Sequence, residues 1–208
     1  MVTTETKRAS IKKPVDYTGA KMGMWLFLFT ELLFFGGLFL LYAVYRSQFS
    51  QEFHSTSRDL SVTLGAINTI ILITSSLTMA LSITAMKKAE KKLSCYLQLV
   101  TILLGAAFLI VKYFEWDAKI SHGMFPGSPV LAGLQQGKII FYNLYFVMTG
   151  LHGLHVLAGL VAIGIICHMS ARDRINADDF VRLENVGLYW HLVDVVWVYL
   201  FPLLYLIG

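Results

Sequence analysis

The segment Met148–Leu160, MTGLHGLHVLAGL, decides how the chain is read. It is apolar enough to sit in a bilayer, yet it carries His152 and His155, three residues apart. Three residues of α-helix turn about 300°, so the two imidazoles lie roughly 60° apart on one side. An ionisable group at the bilayer centre costs about 2.5–3.5 kcal/mol on insertion scales, so such groups face protein and not lipid. This helix therefore has a polar side in search of a partner.

Composition widens that reading to the whole chain. It has 208 residues, 56% hydrophobic and 14% charged, with mean hydropathy +0.64. Those values fit a polytopic membrane protein and exclude an ordinary soluble domain. The net charge of +4 could suggest nucleic acid. The lysines and arginines sit between apolar segments, however, where membrane orientation places them. Cys95 and Cys167 have no CxxC partner, which argues against a disulfide framework or a cysteine metal site. The first 21 residues are polar and basic, without an apolar signal core. We read residues 1–21 as a cytoplasmic tail, with Pro14 and Gly19 breaking any helix.

Five segments can cross a bilayer, which takes about 20 residues as helix. They are placed at about 22–45, 64–86, 93–113, 139–168 and 187–206. Strands are excluded by these lengths, so the fold class is an all-α bundle of five transmembrane helices. Orientation follows from charge. Lys7, Arg8, Lys12, Lys13, Lys21, Lys87, Lys88, Lys91, Lys92, Arg172, Arg174 and Arg182 fall on one side. Arg46, Arg58, Lys112, Lys119 and Lys138 fall on the other. The excess puts the amino terminus in the cytoplasm and the carboxyl terminus outside.

Aromatic residues mark the span ends as expected interface anchors: Tyr42, Tyr45, Tyr113, Phe114, Trp116, Tyr189 and Trp190. The connection from Phe114 to Lys138 is turn-rich and reads as an outer contact loop. Gly36–Gly37, Gly150–Gly153, Ala158 and Gly159 are expected to permit close helix approach.

Few residues could carry chemistry. Glu31 lies well inside the first span, and it reads as a packing carboxyl or as a member of a proton or lipid site. His152 and His155 could donate to Glu31 or to backbone carbonyls. Metal or haem ligation would need a further ligand from Glu31, His191 or Asp194, and no ExxH, CxxCH or other paired spacing is present. His191 and Asp194 lie three apart in YWHLVDVVWVYLFPLLYL, where a His–Asp hydrogen bond is expected and Pro202 is a site for a kink. Glu115 and Asp117 follow the third span and read as exposed interface charges. No phosphate loop or nucleophile elbow appears, so the chain is not expected to be a catalyst by itself. No metal, catalytic or cofactor-binding residue is therefore expected in this chain. Glu31, His152, His155, His191 and Asp194 are read as a buried polar seam, a candidate lipid or proton-related site.

Five motifs in order resemble subunit III of the haem–copper respiratory oxidases. They are TELLFFGGLFLLY around Glu31, INTIILITSSLTMALS around Asn68, Thr69, Ser75 and Ser76, and YFEW at Tyr113–Trp116. TGLHGLHVLAG and YWHLVDVVWVYLFPLLYL complete the set, and the likeness runs from about Lys21 to the end. Seven-helix members carry two further amino-terminal helices, so this chain resembles the short bacterial form. The resemblance matches Glu31 to the family's intramembrane glutamate and Glu115 to its outer-end motif. It implies no redox centre in this chain, with haem and copper in partner subunits I and II. It also implies packing on subunit I, phospholipid binding, support of proton uptake, residence in the bacterial inner membrane, and membership of a respiratory supercomplex. Cytochrome c is the expected electron donor. Quinol oxidase and nitric oxide reductase partners are the alternatives within the family, and a small proton-coupled transporter or a haem-binding anchor the alternatives outside it.

Overall fold

A computed structural model describes residues 17–172, 174–175 and 179–206; most of the expected tail, Pro14 included, lies outside them. The helices are α1 (Tyr17–Gln48), α2 (Ser50–Ser57), α3 (Val62–Lys87), α4 (Lys91–Ser121), α5 (Pro129–Ala132), α6 (Gln136–Ala171) and α7 (Val181–Phe201). No β-strand occurs among the described residues. The five long ones, α1, α3, α4, α6 and α7, are long and apolar enough to cross a membrane. Each overruns the expected span, because an apolar window finds only the lipid-crossing part and polar end turns prolong the helix. Gly19 does not break a helix: it lies inside α1. The outer connection is also shorter than expected, since α4 runs on to Ser121 and carries YFEW as helix. The short helices α2 and α5 have no apolar signal long enough to foretell them.

The core begins as a hairpin. A tight turn at Lys88–Glu90 joins α3 to α4, with Ala89 at φ +61°. Small and polar residues then let the two helices lie close. Ser82 and Ser94 hydroxyls meet at 3.1 Å and those of Thr78 and Thr101 at 2.8 Å. The buried stripe of α3 includes Gly65, Asn68, Leu72, Ser75, Met79 and Ser82, a three–four repeat that keeps one face inward. Helix α7 lies antiparallel against that stripe. Its Trp197 Nε1–H donates to Thr69 Oγ1 at 3.0 Å, and Trp190 Nε1–H donates to Ser75 Oγ at 3.1 Å. Both indoles are fully buried. Beyond Phe201 the chain winds on as a single π-helical stretch, Pro202–Leu206.

Trp190 also corrects the expected aromatic belt. Tyr42 and Trp190 are core residues, not interface anchors, whereas Tyr113 and Phe114 are exposed as expected. The glycines sort in a similar way. A Cβ on Gly159 would come 2.7 Å from the Trp190 ring, and one on Gly105 would come 2.6 Å from Leu160 and 2.8 Å from Trp190. Gly150 faces Trp116 at 3.1 Å, while Gly36, Gly37 and Gly153 face nothing within 4 Å in this chain. The first group permits close approach within the bundle, and the second does not serve it. Helix α1 lies at the bundle edge, with only 11% of its most apolar stretch buried.

Overpacking the Trp190 crossing costs about 1–3 kcal/mol. Gly105→Val is therefore expected to lower the thermal unfolding midpoint of the subunit, while Gly36→Ala leaves it unchanged. Circular dichroism melts of the two variants in detergent check the contrast.

Candidate functional site

Glu31 sits near the middle of α1, and its carboxylate meets α6. His155 Nε2 and Glu31 Oε2 are 2.9 Å apart, with side-chain exposures of 21% and 19%. The other ring nitrogen, Nδ1, lies 2.7 Å from the Leu151 carbonyl oxygen one turn earlier. A carbonyl only accepts, so Nδ1 carries the hydrogen and Nε2 faces the carboxylate. One proton then lies between Nε2 and Oε2, as imidazolium–carboxylate or as imidazole–carboxylic acid. Either form is neutral overall, which is how two ionisable groups stay tolerable at membrane depth. Phe35 packs its edge on the His155 ring at 5.1 Å, and the Tyr189 hydroxyl donates to the His155 carbonyl at 3.1 Å. Aromatic walls and a backbone bond thus hold the ring at its partner.

The remaining expected seam residues do not join this pair. His152 turns to the interior side of α6, where it is 1% exposed. It stacks on Trp197 at 5.3 Å and meets the Phe108 ring edge-on at 5.5 Å. Neither of its ring nitrogens has a hydrogen-bond partner among the described residues. The 60° between His152 and His155 therefore separates a core ring from a paired one. His191 does not bond Asp194 either: its Nδ1 lies 2.7 Å from the Ser76 hydroxyl on α3. Asp194 is 4% exposed, and neither carboxylate oxygen has a hydrogen bond among the described residues. The single seam divides into a Glu31–His155 pair on one side of α7 and a Ser76–His191 contact on another.

The largest departure from expectation concerns Lys112 and Glu115. Neither is an exposed interface charge, at 5% and 4% exposure, while Asp117 is exposed as expected. Lys112 Nζ donates to Glu115 Oε2 at 3.2 Å, to Tyr145 Oη at 3.1 Å and to Tyr205 Oη at 2.6 Å. Tyr145 and Tyr205 in turn donate to Glu115 Oε1 at 2.7 and 2.5 Å. The ammonium also lies 5.2 Å from the centre of the Trp197 ring. All three ammonium hydrogens and both carboxylate oxygens are engaged, which a buried ion pair needs if it is to offset desolvation. This network ties α4, α6 and the end of α7 together. The i, i+3 spacing of Lys112 and Glu115 on one helix face was visible in the sequence; their burial depends on tyrosines 30 and 90 residues further along.

Among the described residues, no three His, Cys, Asp or Glu side chains converge as a metal site. The arrangement offers one shared proton at mid-span and a sealed ion pair near one end. Comparison with known proteins identifies the surroundings in which these operate. The family model described as cytochrome c oxidase subunit III matches residues 2–208. The chain belongs to that family. Similar subunit III proteins include the probable quinol oxidase subunit 3 of Staphylococcus saprophyticus, 31% identical over 90% of this chain and 89% of that one. The cytochrome bo(3) ubiquinol oxidase subunit 3 of Pseudomonas putida is 30% identical over 90% and 85%. The cytochrome c oxidase subunit 3 of Thermostichus vulcanus is 32% identical over 89% and 86%. The chain is thus a multi-pass membrane subunit of a haem–copper respiratory oxidase, and it associates with the other subunits of such a complex.

Breaking a buried pair by removing one partner costs about 3–5 kcal/mol, because the other charge is left stranded. Lys112→Met is expected to destabilise the subunit by that order. Adding Glu115→Gln should restore part of the loss. A double-mutant cycle on thermal unfolding reads the coupling directly.

Proposed function

We propose that this chain is the non-redox subunit of a proton-pumping cytochrome c oxidase in a bacterial inner membrane. Its amino terminus faces the cytoplasm, and its main contact is with subunit I. Haem and copper lie in subunits I and II, and this chain sustains proton uptake and the integrity of the oxygen-reducing site over many turnovers. The observation that carries the proton-related part is the Glu31–His155 pair, whose carboxylate and imidazole meet at 2.9 Å in the middle of a span. Ionisable groups that pair inside a membrane bundle mark proton relays and substrate paths. Glu31→Ala is expected to leave haem content and initial rate near those of the parent complex, and to shorten sustained turnover severalfold. Optical haem spectra and oxygen uptake followed to exhaustion measure both. Loss of haem would instead point to a role as ligand and overturn this reading.

Phospholipid binding has support of its own. A groove of about 300 Å³ runs between α1 and α7 along Leu28, Phe29, Leu32 and Val195, with Trp25 and His191 on its wall. It continues into a second hollow bounded by Lys21, Lys87 and Glu184. Both lysines pair with Glu184, at 2.9 and 2.7 Å, leaving one net positive charge at the mouth. A basic residue near an anionic leaflet contributes about 1 kcal/mol to lipid attraction. Replacing Lys21 and Lys87 together with Gln is expected to lower the anionic phospholipid retained by the purified complex, as read by lipid mass spectrometry.

Quinol is the alternative electron donor, because relatives of near-equal identity are named as quinol oxidase subunits. Oxygen uptake by the purified complex with reduced cytochrome c or with a quinol separates the two.

A further inference from the structure

The chain has two cysteines, Cys95 and Cys167, in helices whose sequences lie 72 residues apart. The fold brings them together. Cys95 is the fifth residue of α4, and Cys167 is the fifth from the end of α6. The Cys167 thiol lies 3.9 Å from the Cys95 carbonyl oxygen, and the two side chains are in contact. Both are free thiols, and both are half-buried, so neither is sealed in the core. The metal-site and disulfide arguments from spacing do not touch this pair, because only the folded bundle creates it. Nor do the Glu31–His155 pair and the Lys112 network use either residue.

We propose that Cys95 and Cys167 form a redox-modifiable dithiol, an oxidation site that links the inner ends of α4 and α6. The reactant is a hydroperoxide, either water-soluble or dissolved in the lipid. One thiolate attacks the peroxide, breaks the O–O bond and becomes a sulfenic acid, releasing water from hydrogen peroxide or an alcohol from an organic hydroperoxide. The second thiol then attacks the sulfenic sulfur, the S–S bond forms and water leaves. In sum, two thiols and one hydroperoxide give a disulfide, one water, and a second water or an alcohol. A resolving thiol beside the first is what diverts the sulfenic acid from irreversible oxidation. A disulfide needs Cβ atoms about 3.5–4.5 Å apart, and the approach of the Cys167 thiol to the Cys95 main chain sets the two residues side by side. The linked form adds a covalent tie at the end of α4 opposite the Lys112 network, so both ends of that helix are then fixed to α6.

The test uses the assembled oxidase in native membranes. After hydrogen peroxide or cumene hydroperoxide, alkylation and digestion without reductant should yield a linked Cys95–Cys167 peptide, two hydrogens lighter than the sum of its parts. Dithiothreitol should return both thiols to alkylation. Recovery of unlinked thiols, of sulfinic acid at either position, or of a link between two copies of the chain overturns the proposal. Proximity is tested separately with dibromobimane, which fluoresces on bridging two neighbouring thiols and needs no oxidant. Bridging is expected in the parent complex and in neither Cys95→Ser nor Cys167→Ser; a parent complex that fails to bridge also overturns it. The parent measurements stand even if a serine variant does not assemble.

Discussion

The bundle depends on one indole. Trp190 inserts where α3, α4, α6 and α7 come together, and it fits because two of those helices offer hydrogen in place of a side chain. Gly105 and Gly159 each leave no room for a Cβ beside the ring. A third helix supplies Ser75 to accept the indole N–H. In lipid, helices gain nothing from hydrophobic association as such. Close packing and satisfied polar groups carry the stability instead. A large flat ring held by two glycines and one hydroxyl meets both conditions at a single point. The second tryptophan of α7, Trp197, repeats the device one level along, against Thr69, Phe108 and His152.

Charge is handled by a rule that separates three environments. At one end, Lys21, Lys87 and Glu184 remain partly open and share a surface cluster. At mid-span, Glu31 and His155 share a proton and stay neutral as a pair. Towards the other end, Lys112 and Glu115 are sealed behind two phenols and a tryptophan. The chain uses Coulomb attraction most where water is least available, and at Lys112–Glu115 it provides hydrogen bonds for the atoms that the ion pair leaves over.

Much of this architecture was legible in the sequence. Five apolar runs of sufficient length dictate five helices, and lipid admits little else. The meeting of Glu31 with one histidine of α6 also follows from the cost of an unpaired ionisable group. What could not be read is which of two histidines would be chosen. His152 and His155 differ by less than one helical turn, and only the rotation of α6, set by Trp197 and Phe108 on one side and α1 on the other, separates them. Glu115 departs from its expected place for a related reason. A charge just past an apolar run normally marks the water boundary, but here α4 continues as helix and two tyrosines from distant segments close over it. Sequence periodicity reports a helix face; it does not report what another helix will bring to that face.

The edge position of α1 bears on how the subunit is made. Little of α1 is covered by its own chain, and the polar groups that hold it lie in α6, α7 and the π-helical stretch that follows α7. Lys21 waits for Glu184, Glu31 for His155, and the Tyr42 hydroxyl for the Leu203 carbonyl, which it meets at 2.8 Å. The hairpin of α3 and α4 needs only local contacts and can close early. Helix α1 therefore gains these polar partners only where distant segments reach it, 124 and 161 residues along the chain. The tie between α1 and the rest of the bundle is thus a long-range one, unlike the local closure of the α3–α4 hairpin.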